Sequence, residues 1–181
     1  MELYLCEELA ERRQVYDLLA WAARRRWGLD RLPAVERAAG GKPYFPDRPD
    51  LCFNLSHSGS IALCVLDEQP VGADVERVRK HYVNLPKRIC SEKELAWLDA
   101  QAERDRALCT LWTGKESLVK YTGAGLTVPI RGIAAPLPPE TEADGLHFYR
   151  LSAPEYELCA CGHTPAQGVV RVSAGEIERK P

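Results

Sequence analysis

The sequence predicts an α+β fold, a pseudo-dimer of two similar α/β lobes (residues 1–100 and 101–181) with the active site in the cleft between them. Two observations lead there. An imperfect repeat runs along the chain, each copy a helix closed by glycine, then a strand pair, then one further strand. The charged residues suited to chemistry are divided unevenly between the copies, so that neither half carries a complete site. A duplicated unit whose halves pack face to face puts its cleft along the pseudo-twofold axis, and interfaces between lobes are where ligand sites concentrate.

In the first half a helical run from Asp17 to Trp27 meets Gly28 and Leu29, and glycine just past a helical run is a C-cap signal. Phe53-Asn54-Leu55-Ser56 and Ala62-Leu63-Cys64-Val65 read as the two strands of a hairpin, and Pro70 to Val75, entered through a proline turn, as a third strand. In the second half the helix runs from Ala107 to Tyr121 before Gly123-Ala124-Gly125-Leu126. Its hairpin pairs Phe148-Tyr149-Arg150-Leu151-Ser152 with Glu157-Leu158-Cys159-Ala160-Cys161, and Val169 to Val172 is the last strand. Gly114, inside the second helix, costs about 1 kcal/mol against alanine, which predicts close approach by another backbone or a ligand. Ala135-Pro136-Leu137-Pro138-Pro139 reads as an extended surface connection.

The chemistry concentrates in two segments. In the strand Val71-Gly72-Ala73-Asp74-Val75-Glu76 the two-residue period sets Asp74 and Glu76 on one face. In the second helix Trp112, Glu116 and Lys120 recur every fourth residue and share a face, with Trp112 expected as a core anchor. If this helix packs beside the strand's end, three carboxylates and one ammonium converge. Two like charges about 4 Å apart cost roughly 4 kcal/mol at an effective dielectric near 20, so three acids at one point imply a cation. Oxygen-only donors suit Mg²⁺, which keeps waters and leans on substrate phosphates. The last strand of the second half has no Asp-x-Glu pair, so a single Mg²⁺–phosphate site is expected.

These two segments resemble the signature blocks of the Sfp-type 4'-phosphopantetheinyl transferases: hydrophobic-Gly-hydrophobic-Asp-x-Glu, then Trp-(small)-x-Lys-Glu-(small)-x-x-Lys. Gly41-Lys42-Pro43 and Phe53-Asn54-Leu55-Ser56-His57-Ser58-Gly59 resemble two further blocks upstream, so the likeness is close over residues 40–128. Ala73 stands where the family has Ile or Val. The resemblance implies the same pseudo-dimer and a reaction that moves the 4'-phosphopantetheine arm of coenzyme A onto a serine of an acyl, peptidyl or polyketide carrier protein, releasing 3',5'-ADP. It assigns Asp74, Glu76 and Glu116 to Mg²⁺, and Lys120 to the phosphates. Glu116 or a metal-bound water takes the serine proton, with Glu94 a further candidate. Lys42 and His57 resemble positions that contact the nucleotide end of coenzyme A, His57 its 3'-phosphate, and Gly41 with Ser56 would line the adenine pocket. Larger family members hold coenzyme A phosphates with basic groups between their first strand and first helix. Here that segment is short, and Arg12, Arg13 or Arg24 could substitute without any motif to select among them. A catalytically silent coenzyme A or carrier-binding module and a nucleotide hydrolase are the alternatives.

Composition narrows the rest. With 181 residues, 45% of them hydrophobic, the chain can bury one sizeable core or two small ones. A net charge of −2 drives it toward neither nucleic acid nor membrane. Seven cysteines, odd in number and scattered through apolar runs, argue against a disulfide framework, and Met1 to Glu8 lacks the basic flank and apolar run of a signal peptide. A cytoplasmic monomer is expected.

Overall fold

The computed structural model describes residues 1–80, 84–125 and 128–178. Strand β1 (Glu2–Cys6) leads to helix α1 (Gln14–Trp27). A short ribbon, β2 (Glu36–Arg37) and β3 (Pro43–Tyr44), precedes the hairpin β4 (Cys52–Ser58) and β5 (Ile61–Asp67), then β6 (Val71–Arg77). Helices α2 (Leu85–Ile89), α3 (Glu92–Asp99) and α4 (Arg104–Thr122) follow. The chain continues through β7 (Glu142–Ala143), β8 (Leu146–Ser152), β9 (Tyr156–Gly162), β10 (Val169–Arg171) and α5 (Ala174–Glu178).

Both helices of the repeat form, each beginning three residues before its expected start. Their glycine caps hold: Gly28 (φ 67°) and Gly123 (φ 71°) adopt the left-handed conformation, and their N–H groups donate to the carbonyls of Arg24 and Val119. Leu126, which completed the second cap signal, lies outside the described residues. The stretch 135–139 ends in a turn, where the Glu140 N–H donates to the Leu137 carbonyl (2.8 Å), and it lies only partly at the surface: Pro139 is exposed, whereas Pro136 is buried and its carbonyl accepts from the Arg150 guanidinium.

Third strands cross between the halves. One sheet has the order β10-β1-β5-β4, the other β6-β9-β8-β7. β6 of the first half pairs antiparallel with β9 of the second, while β10 of the second runs parallel to β1. Every residue of β5 is buried, because Ala62, Cys64 and Leu66 pack under α1 while Ile61, Leu63 and Val65 meet the second sheet. The second sheet offers Val71, Ala73 and Val75 of β6 to that shared core, and its other face packs Phe148, Cys159 and Cys161 against Leu118 and Tyr121 of α4. The layers therefore run α1, sheet, sheet, α4. All seven cysteines are free. Among the described residues no helix is long and apolar enough to cross a membrane.

No other backbone approaches Gly114 closely among the described residues: a Cβ there would lie 3.5 Å from the Ala135 Cβ, an ordinary contact. The close approach occurs at Gly72 instead. A Cβ at Gly72 would strike the carbonyl of Ser117 and the amide nitrogen of Tyr121, so α4 can lie directly on the β6 backbone only because that position is bare. This seating brings Glu116 and Lys120 to the acidic face of β6.

Candidate active site

β6 is an edge strand, with one row of N–H groups left over from its pairing with β9. Strand β4 supplies their partners from side chains. Asn54 Oδ1 accepts from the N–H of Ala73 (3.0 Å), Ser56 Oγ from Val75 (3.2 Å) and Ser58 Oγ from Arg77 (3.2 Å). Alternation puts these three polar groups on one face of β4, and they hold β6 where backbone pairing would otherwise be needed. The two serines then reach the acids: Ser56 donates to Asp74 Oδ1 (2.7 Å) and Ser58 to Glu76 Oε2 (2.8 Å).

Asp74 is 4% exposed and pairs with Lys120, whose ammonium lies 2.6 Å from Oδ1 and 3.0 Å from the Ser56 hydroxyl. Its second oxygen, Oδ2, is buried without a hydrogen-bond partner among the described residues. Glu116 is buried as well, and burial followed by the charge of Asp74 pushes its carboxyl above the ordinary carboxylate range, Lys120 opposing and Glu76 adding. Four of the expected residues, Asp74, Glu76, Glu116 and Lys120, thus share one electrostatic neighbourhood. Trp112 packs, half-buried, against the α2–α3–α4 core as an anchor.

The other expected residues lie along the same cleft or away from it. A cavity of about 520 Å³ is lined by Glu116, Lys120, Gly41 and Lys42 among others. Gly41 (φ 82°) has open space where a Cβ would stand. The Lys42 ammonium donates to the carbonyls of Val71 and Tyr121 (2.9 Å each), and burial lowers its pKa, so it ties the loop before β3 to the end of α4. Ser56 contributes its hydroxyl to the Asp74 network, and His57 lines an adjoining recess, its pKa lowered by burial, then Arg12 and Lys120. Glu94 is in the protein framework. It caps α3 by accepting from the Ser91 N–H (2.6 Å) while Ser91 accepts from its own N–H, and it forms a buried ion pair with Lys115 (2.9 Å). Ser-x-x-Glu before a helix is the capping-box signature, which was legible at Ser91–Glu94.

Asn54, Ser58 and Lys115 escaped the sequence reading. The alternating polar run Asn54-x-Ser56-x-Ser58 was a usable signal, since polar groups on one face of a buried strand require partners. Lys115, 0% exposed, offers no such pattern: besides Glu94 its ammonium reaches the carbonyls of Ile130 (3.1 Å) and Ile133 (2.8 Å), which only the fold brings near.

The chemistry of these donors is of the kind a divalent cation takes: the buried Asp74 Oδ2 lacks a partner among the described residues, and the charges of Asp74, Lys120 and Glu76 all act on the Glu116 carboxyl. Among the described residues no three such side chains stand close enough to hold an ion as they are, and Lys120 occupies one Asp74 oxygen.

The sequence profile of the 4'-phosphopantetheinyl transferase superfamily matches residues 70–151, the span from β6 through α4 to β8. The chain is 31% identical over 151 residues to the 4'-phosphopantetheinyl transferase Sfp of Bacillus subtilis (strain 168), covering 76% of this chain and 67% of that protein. It is 34% identical over 142 residues to the 4'-phosphopantetheinyl transferase AcpT of Salmonella typhimurium, covering 76% of this chain and 71% of that protein. A third relative, a 4'-phosphopantetheinyl transferase of Bacillus subtilis, is 32% identical over 69% of this chain and 61% of its own length. The chain belongs to the 4'-phosphopantetheinyl transferase superfamily. It spans about three fifths to seven tenths of the length of these relatives.

Proposed function

We propose that this protein transfers the 4'-phosphopantetheine group of coenzyme A to a serine of an apo acyl, peptidyl or polyketide carrier protein, giving the holo-carrier and 3',5'-ADP. The observation that carries the reading is the meeting of Asp74, Glu76, Glu116 and Lys120, from β6 and α4, at the end of a cleft, with Asp74 Oδ2 buried and unpartnered among the described residues. We read the two sheets, with α1 and α4 outside them, as the lobes of a pseudo-dimer whose cleft runs between α4 and the loop before β3.

In this reading Asp74, Glu76 and Glu116 would hold Mg²⁺, which when bound neutralises charge on the pyrophosphate. Lys120 orients the phosphates as a point charge, and Lys42 and Gly41 shape the cleft wall. The serine Oγ attacks the phosphorus carrying the pantetheine arm, the bond from that phosphorus to the bridging oxygen breaks, and 3',5'-ADP leaves. Glu116, or a water held beside it, accepts the serine proton. Glu94 is assigned to the framework. With every cysteine free, we place the protein in the cytoplasm, as a monomer.

Incubation with Mg²⁺, coenzyme A and a panel of apo-carriers tests this by intact-carrier mass. A phosphopantetheine-sized gain that is lost in Glu116→Gln and in chelator is expected; no gain on any carrier, despite coenzyme A binding, would favour the silent binding module.

A further inference from the structure

The three carboxylates of the site are not held equally. Asp74 is buried, with Ser56 and Lys120 on one of its oxygens, and Glu116 is buried on α4. Glu76, next to last on β6, keeps 27% of its side chain exposed. A glutamate side chain is longer than that of an aspartate and loses more rotamer freedom when it is fixed, so it needs a firmer hold. Among the described residues the Glu76 carboxylate has two partners, both on Oε2: the Ser58 hydroxyl at 2.8 Å and, farther off at 3.8 Å, the exposed guanidinium of Arg79. Ser58 can only donate to it. A hydroxyl has a single hydrogen, and because the N–H of Arg77 donates to the Ser58 oxygen (3.2 Å), that hydrogen goes to Glu76. Ser58 is itself pinned. It ends β4 beside the turn Gly59-Ser60, and Arg77 lays its guanidinium across that turn: a Cβ on Gly59 (φ 61°) would come within 2.7 Å of it, and its Nη2 donates to Ser60 Oγ (2.9 Å).

We propose that Ser58 is a positioning residue for metal binding: it holds Glu76 Oε2 so that Oε1, unpartnered among the described residues, is left for the cation, and it keeps the carboxylate from closing on Arg79. The proposal rests on the reading of Asp74, Glu76 and Glu116 as Mg²⁺ ligands given above, and adds a residue to which that reading assigns no contact with metal or coenzyme A. A hydrogen bond that orients a ligand from behind is worth about tenfold to a hundredfold in metal affinity, because the carboxylate is ordered before the ion arrives. Ser56 is less exposed to such a test. Its oxygen already receives the Val75 N–H and the Lys120 ammonium, and Lys120 holds Asp74 without it. Alternation along β4 gives each serine its own acid, one residue before the N–H that it accepts: Ser56 serves Asp74 and Ser58 serves Glu76.

The test is Mn²⁺ binding to the full chain without coenzyme A, followed by the paramagnetic resonance of the free ion, for the wild type, Ser58→Ala, Ser58→Thr, Glu76→Gln and Ser58→Ala combined with Glu76→Gln. The Arg77 N–H that loses its acceptor in Ser58→Ala lies at the exposed end of β6, where water can replace the hydroxyl, and thermal melting in chelator checks the fold. Ser58→Ala should weaken Mn²⁺ binding about tenfold to a hundredfold, and Ser58→Thr, which keeps the hydroxyl, should recover most of it. The double variant should bind no worse than Glu76→Gln, since the serine acts only through that carboxylate. Coenzyme A affinity in chelator should be equal in Ser58→Ala and wild type. Full Mn²⁺ affinity in Ser58→Ala would overturn the proposal. So would a loss that adds to that of Glu76→Gln or extends to coenzyme A in chelator, either of which would assign Ser58 to the fold at large. A wild type that binds no Mn²⁺, or a Glu76→Gln variant that binds it as well as wild type, would overturn the metal reading of Glu76 itself and this proposal with it.

Discussion

At the scale of single residues, the site is defined by who neutralises whom. Asp74 has one oxygen shared by Ser56 and Lys120 and the other unpartnered among the described residues, so the ammonium is its counter-charge as the structure stands. Lys120→Met should therefore raise the affinity of the free protein for Mn²⁺ at least about tenfold while abolishing transfer, measured by Mn²⁺ titration without coenzyme A. No gain in metal affinity would mean that Lys120 does not compete for Asp74. Glu116 carries a pH signature. Its raised pKa means that the native state holds the proton more tightly than the unfolded chain, so the ionised form costs stability above the folded pKa and nothing below the ordinary carboxylate range. In chelator, Glu116→Gln should melt above wild type near neutral pH, by about 2–4 °C per kcal/mol relieved, and the gap should close as pH falls below about 4. A gap independent of pH would contradict this assignment.

At the scale of elements, two devices deliver the acids. Gly72 lets α4 rest on β6, and the Asn54, Ser56 and Ser58 row holds the free edge of β6. The Asp-x-Glu and Lys-Glu-x-x-x-Lys patterns were legible because each follows from the period of its own strand or helix. At Glu94 local pattern did not disclose the partners the fold supplies, its own helix end and a buried lysine. Removing that partner leaves the Lys115 charge uncompensated, so Glu94→Gln should cost about 3–5 kcal/mol in urea unfolding. Glu94→Gln combined with Lys115→Met should recover most of this and retain turnover. Loss of turnover in a well-folded double variant would return Glu94 to the catalytic list.

At the scale of the whole molecule, the halves are interlocked rather than adjacent. β6 completes the second sheet, and β10 extends the first beside β1. A fragment of residues 1–100 keeps the Asp-x-Glu strand but loses β9 and α4, the surfaces that bury it. Such a fragment should show no cooperative thermal transition alone and should regain one when mixed with residues 101–181; cooperative melting of the isolated piece would show the strand exchange to be dispensable.

Local pattern by itself determined helices α1 and α4, the hairpins β4–β5 and β8–β9 and the identity of the acidic face, since periodicity, glycine caps and residue chemistry are properties of short segments. It also carried the family, through blocks that keep their order along the chain. Tertiary structure alone decided that β6 crosses to β9, that Lys42 and Lys115 turn their ammoniums onto distant carbonyls, and that Ser58 meets Glu76. Those are contacts between residues remote in sequence, and no spacing along one strand or helix encodes which remote surface will be brought against it by burial of the common core.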